Sequence, residues 1–302
     1  MEFSLLAIGE VMAEIRKGTS GDFKVGFAGD TYNTAVYCAR ALNQPGSVAY
    51  KTSIGRDPLS AGCIDAARSE GIDTNQISTN PERNIGVYAV STDASGERSF
   101  SYWRASSAAR GMFTDHDDVR ALPNSRIVYL SGITLAILQP ASRQALMNEL
   151  RILSESGQSL IAFDSNYRAQ LWESTDAAQT CLSEMWDIAD IALPSIDDEM
   201  ALFNETSEDA VISRFNEKTW EACAIKRGAR GPVSPFLEPH AHPKFKTAEI
   251  VIDTTAAGDG FNGAYLAAYI QGQNETECML SGHELASRIV SAPGAIVSQS
   301  RR

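Results

Sequence analysis

Cysteine is scarce in this 302-residue chain. Cys38, Cys63, Cys181, Cys223 and Cys278 are isolated, odd in number, and never in Cys-x-x-Cys spacing. That excludes a disulfide scaffold and a thiolate zinc site, and it fits buried thiols of a reducing compartment, so a cytoplasmic location is expected. Basic residues are also few. Lys and Arg number 26 against 38 Asp and Glu, a net charge of −12 with no basic stripe, which argues against a nucleic-acid partner. Apolar runs are short, none nearing the roughly 20 residues of a membrane helix, so no membrane partner is expected. Met1 to Ile8 lacks a basic leader and a cleavage site and runs into Gly9-Glu10, the pattern of a first strand. His240 and His242, one residue apart in a Pro-flanked loop without a third ligand nearby, read as solvated surface. Neither a Walker-type phosphate loop nor a Gly-x-Ser-x-Gly elbow occurs.

What is present is ordinary in bulk, with 43% hydrophobic and 21% charged residues, and enough chain for one large domain spanning 1–302. From about residue 120 strand-like and helix-like segments alternate. Ile127 to Leu130 precedes a helix pattern through Arg143 to Ser154. Ser159 to Asp164 precedes Ala177 to Ile188, and Ile191 to Leu193 precedes an acidic helix start and Ala222 to Lys226. This rhythm predicts βαβ units, a mostly parallel sheet covered on both faces, and a ligand beyond the carboxyl ends of its strands. Two early segments break it. Residues 11–16 have β character, and Gly86 to Thr92 turns at Asp93-Ala94-Ser95-Gly96 to return as Arg98 to Arg104, a hairpin signal. These strands are too few for their own core and predict a small sheet covering one edge of the main domain.

The densest chemistry lies in Asp253-Thr254-Thr255-Ala256-Ala257-Gly258-Asp259, between the strand-like run Glu249 to Ile252 and a helix pattern from Gly260 to Ile270. Small residues before a helix let backbone N–H groups approach an anion, and the helix start adds partial positive charge, so Asp259 is expected to stay ionised. An anion site beside a carboxylate is what phosphoryl transfer requires. Gly258-Asp259-Gly260-Phe261-Asn262-Gly263 also fits the dinucleotide pattern G-x-G-x-x-G. Only about 40 residues follow, however, too few for further units of ~30 residues each, so Gly260 and Gly263 read instead as helix-packing glycines.

These residues resemble the ribokinase-like (PfkB) carbohydrate kinases, and within them a branch acting on keto sugar acids. The resemblance rests on Asp253 to Asp259, Gly26 to Thr34, Gly96 to Arg104, Leu130 to Ile133, Phe163 to Arg168 and Lys226 to Gly228, in the family's order from Ile8 to about Val297. It implies a three-layer α/β/α sandwich with a small β-sheet lid, and ATP-dependent phosphorylation of 2-keto-3-deoxy-D-gluconate at its 6-hydroxyl. Asp259 is then the base, and the N–H groups of Ala256, Ala257 and Gly258 hold the transferred phosphoryl. Gly29, Asp30, Thr31, Tyr32 and Asn33 form the sugar-hydroxyl site, the alternative for Asp30 or Thr31 being a helix cap. Tyr88, Tyr102, Trp103, Arg104 and Arg168 hold the sugar acid, the arginines matching a carboxylate bidentately. Asn166, Ser195, Lys226, Arg227, Gly228, Ala229, Arg230 and Gly231 line the nucleotide.

Two departures qualify the likeness. Ser195 and Asp198 stand where the family's magnesium-associated motif has Asn and Glu, so Mg²⁺ is expected on the ATP phosphates and water, with its protein contacts unassigned. Ala256 replaces a common Gly, which preserves the anion hole provided its backbone avoids positive φ. A monovalent-cation site near Asp253 and Ser291 to Gly294 rests on family analogy alone. Exposed lid edges suggest a homo-oligomer through the lid. The rivals are a sibling kinase for another sugar acid, fructose or a nucleoside, and a sugar-binding regulator without catalysis.

Overall fold

The protein is described by a computed structural model covering residues 2–17, 21–92, 98–114 and 116–298. The expected turn at Asp93 to Gly96 lies outside these residues. In chain order the strands are β1 (Phe3–Ile8), β2 (Met12–Lys17), β3 (Phe23–Ala28), β4 (Val48–Ile54), β5 (Ile77–Thr79), β6 (Gly86–Thr92), β7 (Arg98–Trp103), β8 (Ser125–Ser131), β9 (Leu160–Asp164), β10 (Ile191–Ala192) and β11 (Ala222–Cys223). The α-helices are α1 (Asp30–Leu42), α2 (Pro58–Ser69), α3 (His116–Arg120), α4 (Gly132–Ile137), α5 (Pro140–Glu155), α6 (Thr175–Ile188), α7 (Ile196–Phe203), α8 (Glu208–Asn216), α9 (Ala257–Ile270) and α10 (Glu275–Ile289).

Seven strands form one parallel sheet in the order β11-β10-β9-β8-β1-β4-β5. Its strands are apolar on both faces, and the period of two divides them between two cores. Leu6 and Ile8 of β1 with Val128 and Leu130 of β8 pack under α5, α6, α7 and α8. Leu5 and Ala7 with Ile127 and Tyr129 pack under α1, α2, α9 and α10. The three-layer α/β/α expectation is met. After β1 the chain adds β4 on one side and later β8 on the other, so strand order reverses between β1 and β8, where open α/β sheets leave a crevice at their carboxyl ends.

The lid is a four-stranded sheet, β3-β2-β6-β7, antiparallel except for the β2–β6 pair. Sequence reasoning placed β2, β6 and β7 in it and missed β3, whose six residues alternate too weakly to stand out. The lid's inner face meets the main body at Met12, Ala28, Tyr88, Ala295, Val90 and Ala256.

Three boundaries differ from expectation. Glu249 to Ile252 forms no strand, and Ile250, Val251 and Ile252 are 64%, 63% and 54% exposed. β-Branched composition favours an extended chain, but a strand needs a neighbour to ladder with, and the N–H groups of Ile252 and Asp253 instead share the Val290 carbonyl at the end of α10 (2.7 and 3.1 Å). Helix α9 starts at Ala257, three residues early, and α1 at Asp30, four residues early. Asp30 and Thr31 are therefore first-turn residues, the N-cap being Gly29 without a side-chain bond, which removes the helix-cap reading.

Helices α1 and α9 cross closely because Gly263 has no side chain. A Cβ there would stand 2.7 Å from the Thr34 carbonyl and 3.0 Å from the Cys38 amide. Gly260, also of the apparent dinucleotide pattern, serves helix packing too, a Cβ on it meeting Ile289 of α10 at 2.0 Å and Tyr37 of α1 at 3.6 Å.

Candidate active site

The residues that follow the sheet's strands converge at its carboxyl edge, and the crossing of α1 and α9 brings the starts of both helices there. Asn33 Nδ2 donates to Asp259 Oδ2 (2.9 Å) and Thr34 Oγ1 donates to the Asp259 carbonyl (3.1 Å). Gly29 makes room for this entry, since a Cβ on it would meet the Glu10 carbonyl at 2.1 Å. Asp30 Oδ2 accepts from Ser131 Oγ and from Asn166 Nδ2 (3.0 Å), tying α1 to the ends of β8 and β9.

Burial raises the Asp259 carboxyl to about 7, with the charges of Asp30 and Asp164 adding to the rise and Asn33 and Lys226 opposing it. The expectation of a firmly ionised Asp259 is therefore corrected. The helix start is worth a fraction of a charge, and desolvation beside two acids outweighs it. Burial likewise raises Asp30. Asp164 ends β9 inside a dense polar cluster, accepting from Lys226 Nζ (2.5 Å) and Asn262 Nδ2 (2.7 Å), while Asn262 also bonds the Tyr129 hydroxyl (3.0 Å).

A cavity of about 570 Å³ opens over this edge. Of the expected sugar-site residues, Gly29, Asp30, Asn33, Tyr88, Tyr102, Arg104, Arg168 and Asp259 line it. Arg104 is ion-paired with buried Glu10, whose other oxygen accepts from Ser107, and its Nε has no hydrogen bond among the described residues. Arg168 pairs with Asp198 at 3.2 Å and is half exposed. Tyr88 and Tyr102 are cross-strand neighbours with ring centroids 5.8 Å apart, but the Tyr88 hydroxyl donates to Glu14 (2.7 Å), so Tyr88 offers the cavity its ring.

Three expected sugar-site residues are corrected. Thr31 and Tyr32 are buried under the cavity floor, Thr31 against the Tyr50 hydroxyl (3.1 Å) and Tyr32 edge-on to the Tyr50 ring, because the turn of α1 aims them inward. Trp103 alternates with Tyr102 along β7 and so stands on the outer face of the lid, 62% exposed.

A second cavity of about 330 Å³ adjoins the first and is lined by Ser195, Lys226, Arg227, Gly228, Ala229, Ala257 and Gly258 among the expected nucleotide residues. Arg230 turns outward to Glu208, and Gly231 lies under the Phe245 ring, so neither reaches it. Asn166, at φ 32°, faces the first cavity instead. In the turn before α9, the Ala257 amide already donates to the Thr254 carbonyl (3.3 Å), which weakens its expected part in anion binding. Ala256 sits at φ 61°, in the left-handed region its sequence reading required it to avoid. Its amide and that of Gly258 have no backbone partner among the described residues and remain open to an anion. Asp253 joins this turn to the following loop, accepting from Thr255 N (3.0 Å) and Gly294 N (2.6 Å). His242, read as solvated, accepts from the Ser234 amide (3.0 Å) and pins its loop.

Sequence reasoning missed Glu10, Phe100, Ile133, Asp164 and Asp197 in the first cavity and Val251, His283, Ala286 and Val290 in the second. Asp164 carried a signal as an acid at the end of a parallel strand, and Asn262, three residues after Asp259, as its neighbour on a helix face. Ala286 of α10 and Val290 at its end carried none, being apolar positions of an ordinary amphipathic helix.

The chain matches the pfkB family carbohydrate kinase profile over residues 3–302. It is 37% identical over 304 residues to the 2-dehydro-3-deoxygluconokinase of Escherichia coli K12, covering 98% of each chain. To the 2-dehydro-3-deoxygluconokinase of Dickeya dadantii it is 38% identical, covering 97% of this chain and 96% of that one. Among solved structures, the 2-dehydro-3-deoxygluconokinase of Thermotoga maritima aligns with a TM-score of 0.80 at 20% identity, over 98% of this chain and 96% of that one. A putative ribokinase II of E. coli in complex with ATP and Mg²⁺ also aligns with a TM-score of 0.80 at 20% identity, over 97% and 94%. Full-length agreement with the family profile, joined to a parallel-sheet edge that carries an acid at the start of a helix, makes this chain a member of the pfkB family of carbohydrate kinases.

Proposed function

We propose that this protein transfers the γ-phosphoryl group of ATP to the 6-hydroxyl of 2-keto-3-deoxy-D-gluconate, giving 2-keto-3-deoxy-6-phosphogluconate. The observation that carries the reading is one cavity that presents Asp259 on its floor and two arginines, Arg104 and Arg168, on its walls. A neutral sugar gives no use for two guanidinium forks, whereas a sugar acid does. The names of the E. coli and Dickeya relatives support the same substrate.

Asp259 takes the hydroxyl proton as the oxygen attacks the γ-phosphorus, a task suited to a base poised near the operating pH. The Ala256 and Gly258 amides face the charge spread over the transferred oxygens. Arg104, through its unbonded Nε, and Arg168 hold the carboxylate, while Asp30 and Asn33 meet hydroxyls. Lid closure over Tyr102 and Phe100 excludes water as a rival acceptor. The second cavity takes the nucleotide. Among the described residues no cluster of three or more His, Cys, Asp or Glu is placed to hold a metal. Mg²⁺ is read as carried largely by the ATP phosphates and water, with Asp197 the carboxylate lining both cavities. When bound, the ion neutralises phosphate charge.

We also read residues 1–302 as one kinase domain, with lid strands at about 11–16 and 86–104, in a cytoplasmic enzyme. Five buried free thiols support a reducing compartment, and among the described residues no helix is long and apolar enough to cross a membrane. Phe23, Val25 and Trp103, exposed on the lid's outer face, support a homo-oligomer through the lid.

The test is a coupled ADP-release assay over a panel of keto sugar acids and neutral sugars. Preference for the keto-deoxy acid, lost when its carboxylate is removed, is the expected result, and equal use of fructose would overturn it.

A further inference from the structure

The two cavities share only five lining residues, Ser195, Asp197, Lys226, Thr254 and Gly258. A group passing from one cavity to the other crosses this junction, and Lys226 is the single cation in it. Lys226 is 9% exposed and its backbone is pinned, its N–H donating to the Pro194 carbonyl (2.8 Å) and its carbonyl accepting from Ile196 (2.9 Å).

The ammonium carries three N–H donors. One meets Asp164 Oδ2 (2.5 Å) and a second meets Asn262 Oδ1 (3.0 Å). The Asn262 amide is itself oriented, because its Nδ2 donates to Asp164 and to the Tyr129 hydroxyl, which leaves Oδ1 for Lys226. No partner for the third donor exists among the described residues. Nζ lies 3.8 Å from where a Cβ on Gly258 would stand, beneath the turn whose amides face the anion.

We propose that Lys226 is a catalytic residue whose third N–H binds a γ-phosphoryl oxygen as the group crosses the junction, with Asp164 and Asn262 as its positioning residues. This rests on the phosphoryl-transfer reading above. The bond from the γ-phosphorus to the β,γ-bridging oxygen breaks and its electron pair leaves with ADP. A bond from the acceptor oxygen to phosphorus forms, and the hydroxyl proton passes to Asp259. Lys226 keeps all its protons and supplies a fixed charge where negative charge accumulates. Asp164 compensates that charge when no phosphate is present, so the buried ammonium never stands alone.

The test is Lys226→Gln, with binding of ADP and of a non-hydrolysable ATP analogue measured by calorimetry beside steady-state kinetics. We expect the analogue to weaken by about 10-fold or more while ADP is little changed, and kcat to fall about 100-fold with the sugar-acid KM nearly constant. A variant that binds both nucleotides like the wild type, or loses both equally, overturns the proposal. Should Lys226→Gln fail to fold with Asp164 uncompensated, the double variant Lys226→Gln/Asp164→Asn removes both charges and the same comparison decides. Nucleotide binding needs no sugar acid, so a wild type inert toward sugar acids would sink the substrate reading and leave this comparison intact. A wild type that binds neither nucleotide overturns both.

Discussion

Asp259 does its work through where it is held. Its carboxyl, pushed up to about 7 by burial and by Asp30 and Asp164, is partly ionised at neutral pH. Turnover at saturating substrate is therefore expected to fall as pH drops below about 7, with an acid limb that Asp259→Asn abolishes along with most of the activity. That substitution should lower kcat by ~10²–10⁴-fold, the range of a positioned general base, and leave sugar-acid binding nearly unchanged. Stopped turnover with intact binding, read by calorimetry, is the check. Ala256 gives a second residue-scale prediction. An L-residue at φ 61° costs about 1–2 kcal/mol, partly recovered by packing its methyl against the lid. Ala256→Gly should raise the unfolding free energy by under about 1 kcal/mol, because glycine's freer unfolded chain takes back part of the relief. Thermal unfolding will show a small rise, and a clear loss of stability would refute the strain.

At the scale of elements, the site depends on the α1–α9 crossing. Gly263→Ala would drive a methyl into the Thr34 carbonyl at 2.7 Å, forcing the helices apart. Overpacking of this kind costs about 1–3 kcal/mol, and because Thr34 and Asn33 both hold Asp259, activity should fall more than stability alone explains. Comparing kcat with the unfolding midpoint tests this. Elements were also where the sequence was most and least legible. The alternation from β8 onward announced a parallel sheet, since apolar runs of strand length separated by amphipathic helices have few other solutions. Ile250 to Ile252 misled because composition reports what a strand would accept and is silent on whether a neighbour is there. Arg230 and Trp103 misled because motif membership does not say which way a side chain turns, whereas Tyr102 and Arg104 could be placed on one face by their spacing alone. Glu10 was hidden because its role exists only through Arg104 and Ser107, partners that folding brings near.

For the whole molecule, charge and burial together set the response to pH. Burial pushes both Asp259 and Glu275 up to about 7, so the native state binds protons the unfolded chain releases between about pH 4 and 7. Their contribution favours the native state below that window and is lost as pH rises through it. Asp57, Glu173 and Glu208 are lowered, Glu173 through its bond to Arg143 and Glu208 through its bond to Arg230, so theirs is lost as pH falls below about 4. Thermal stability should peak at roughly pH 4–5 and decline toward pH 7, and Asp259→Asn should flatten that decline. A midpoint that climbed steadily to pH 8 in the wild type would contradict it. The lid's outer face bears on assembly. Phe23 and Val25 on β3 and Trp103 on β7 leave apolar surface open, so sedimentation should report more than one chain per particle, and Val25→Lys should shift it toward the monomer.

The bond between Asn33 and Asp259 spans 226 positions of the chain. During synthesis the sheet can begin to gather from its early strands, and the cavity-lining groups of α1 and β9 are all made before α9 leaves the ribosome. Asp259 arrives late, with the helix that carries it. A nascent chain can therefore grow most of the cavity wall before this acid exists, and an interrupted translation product would carry the architecture of a kinase without Asp259.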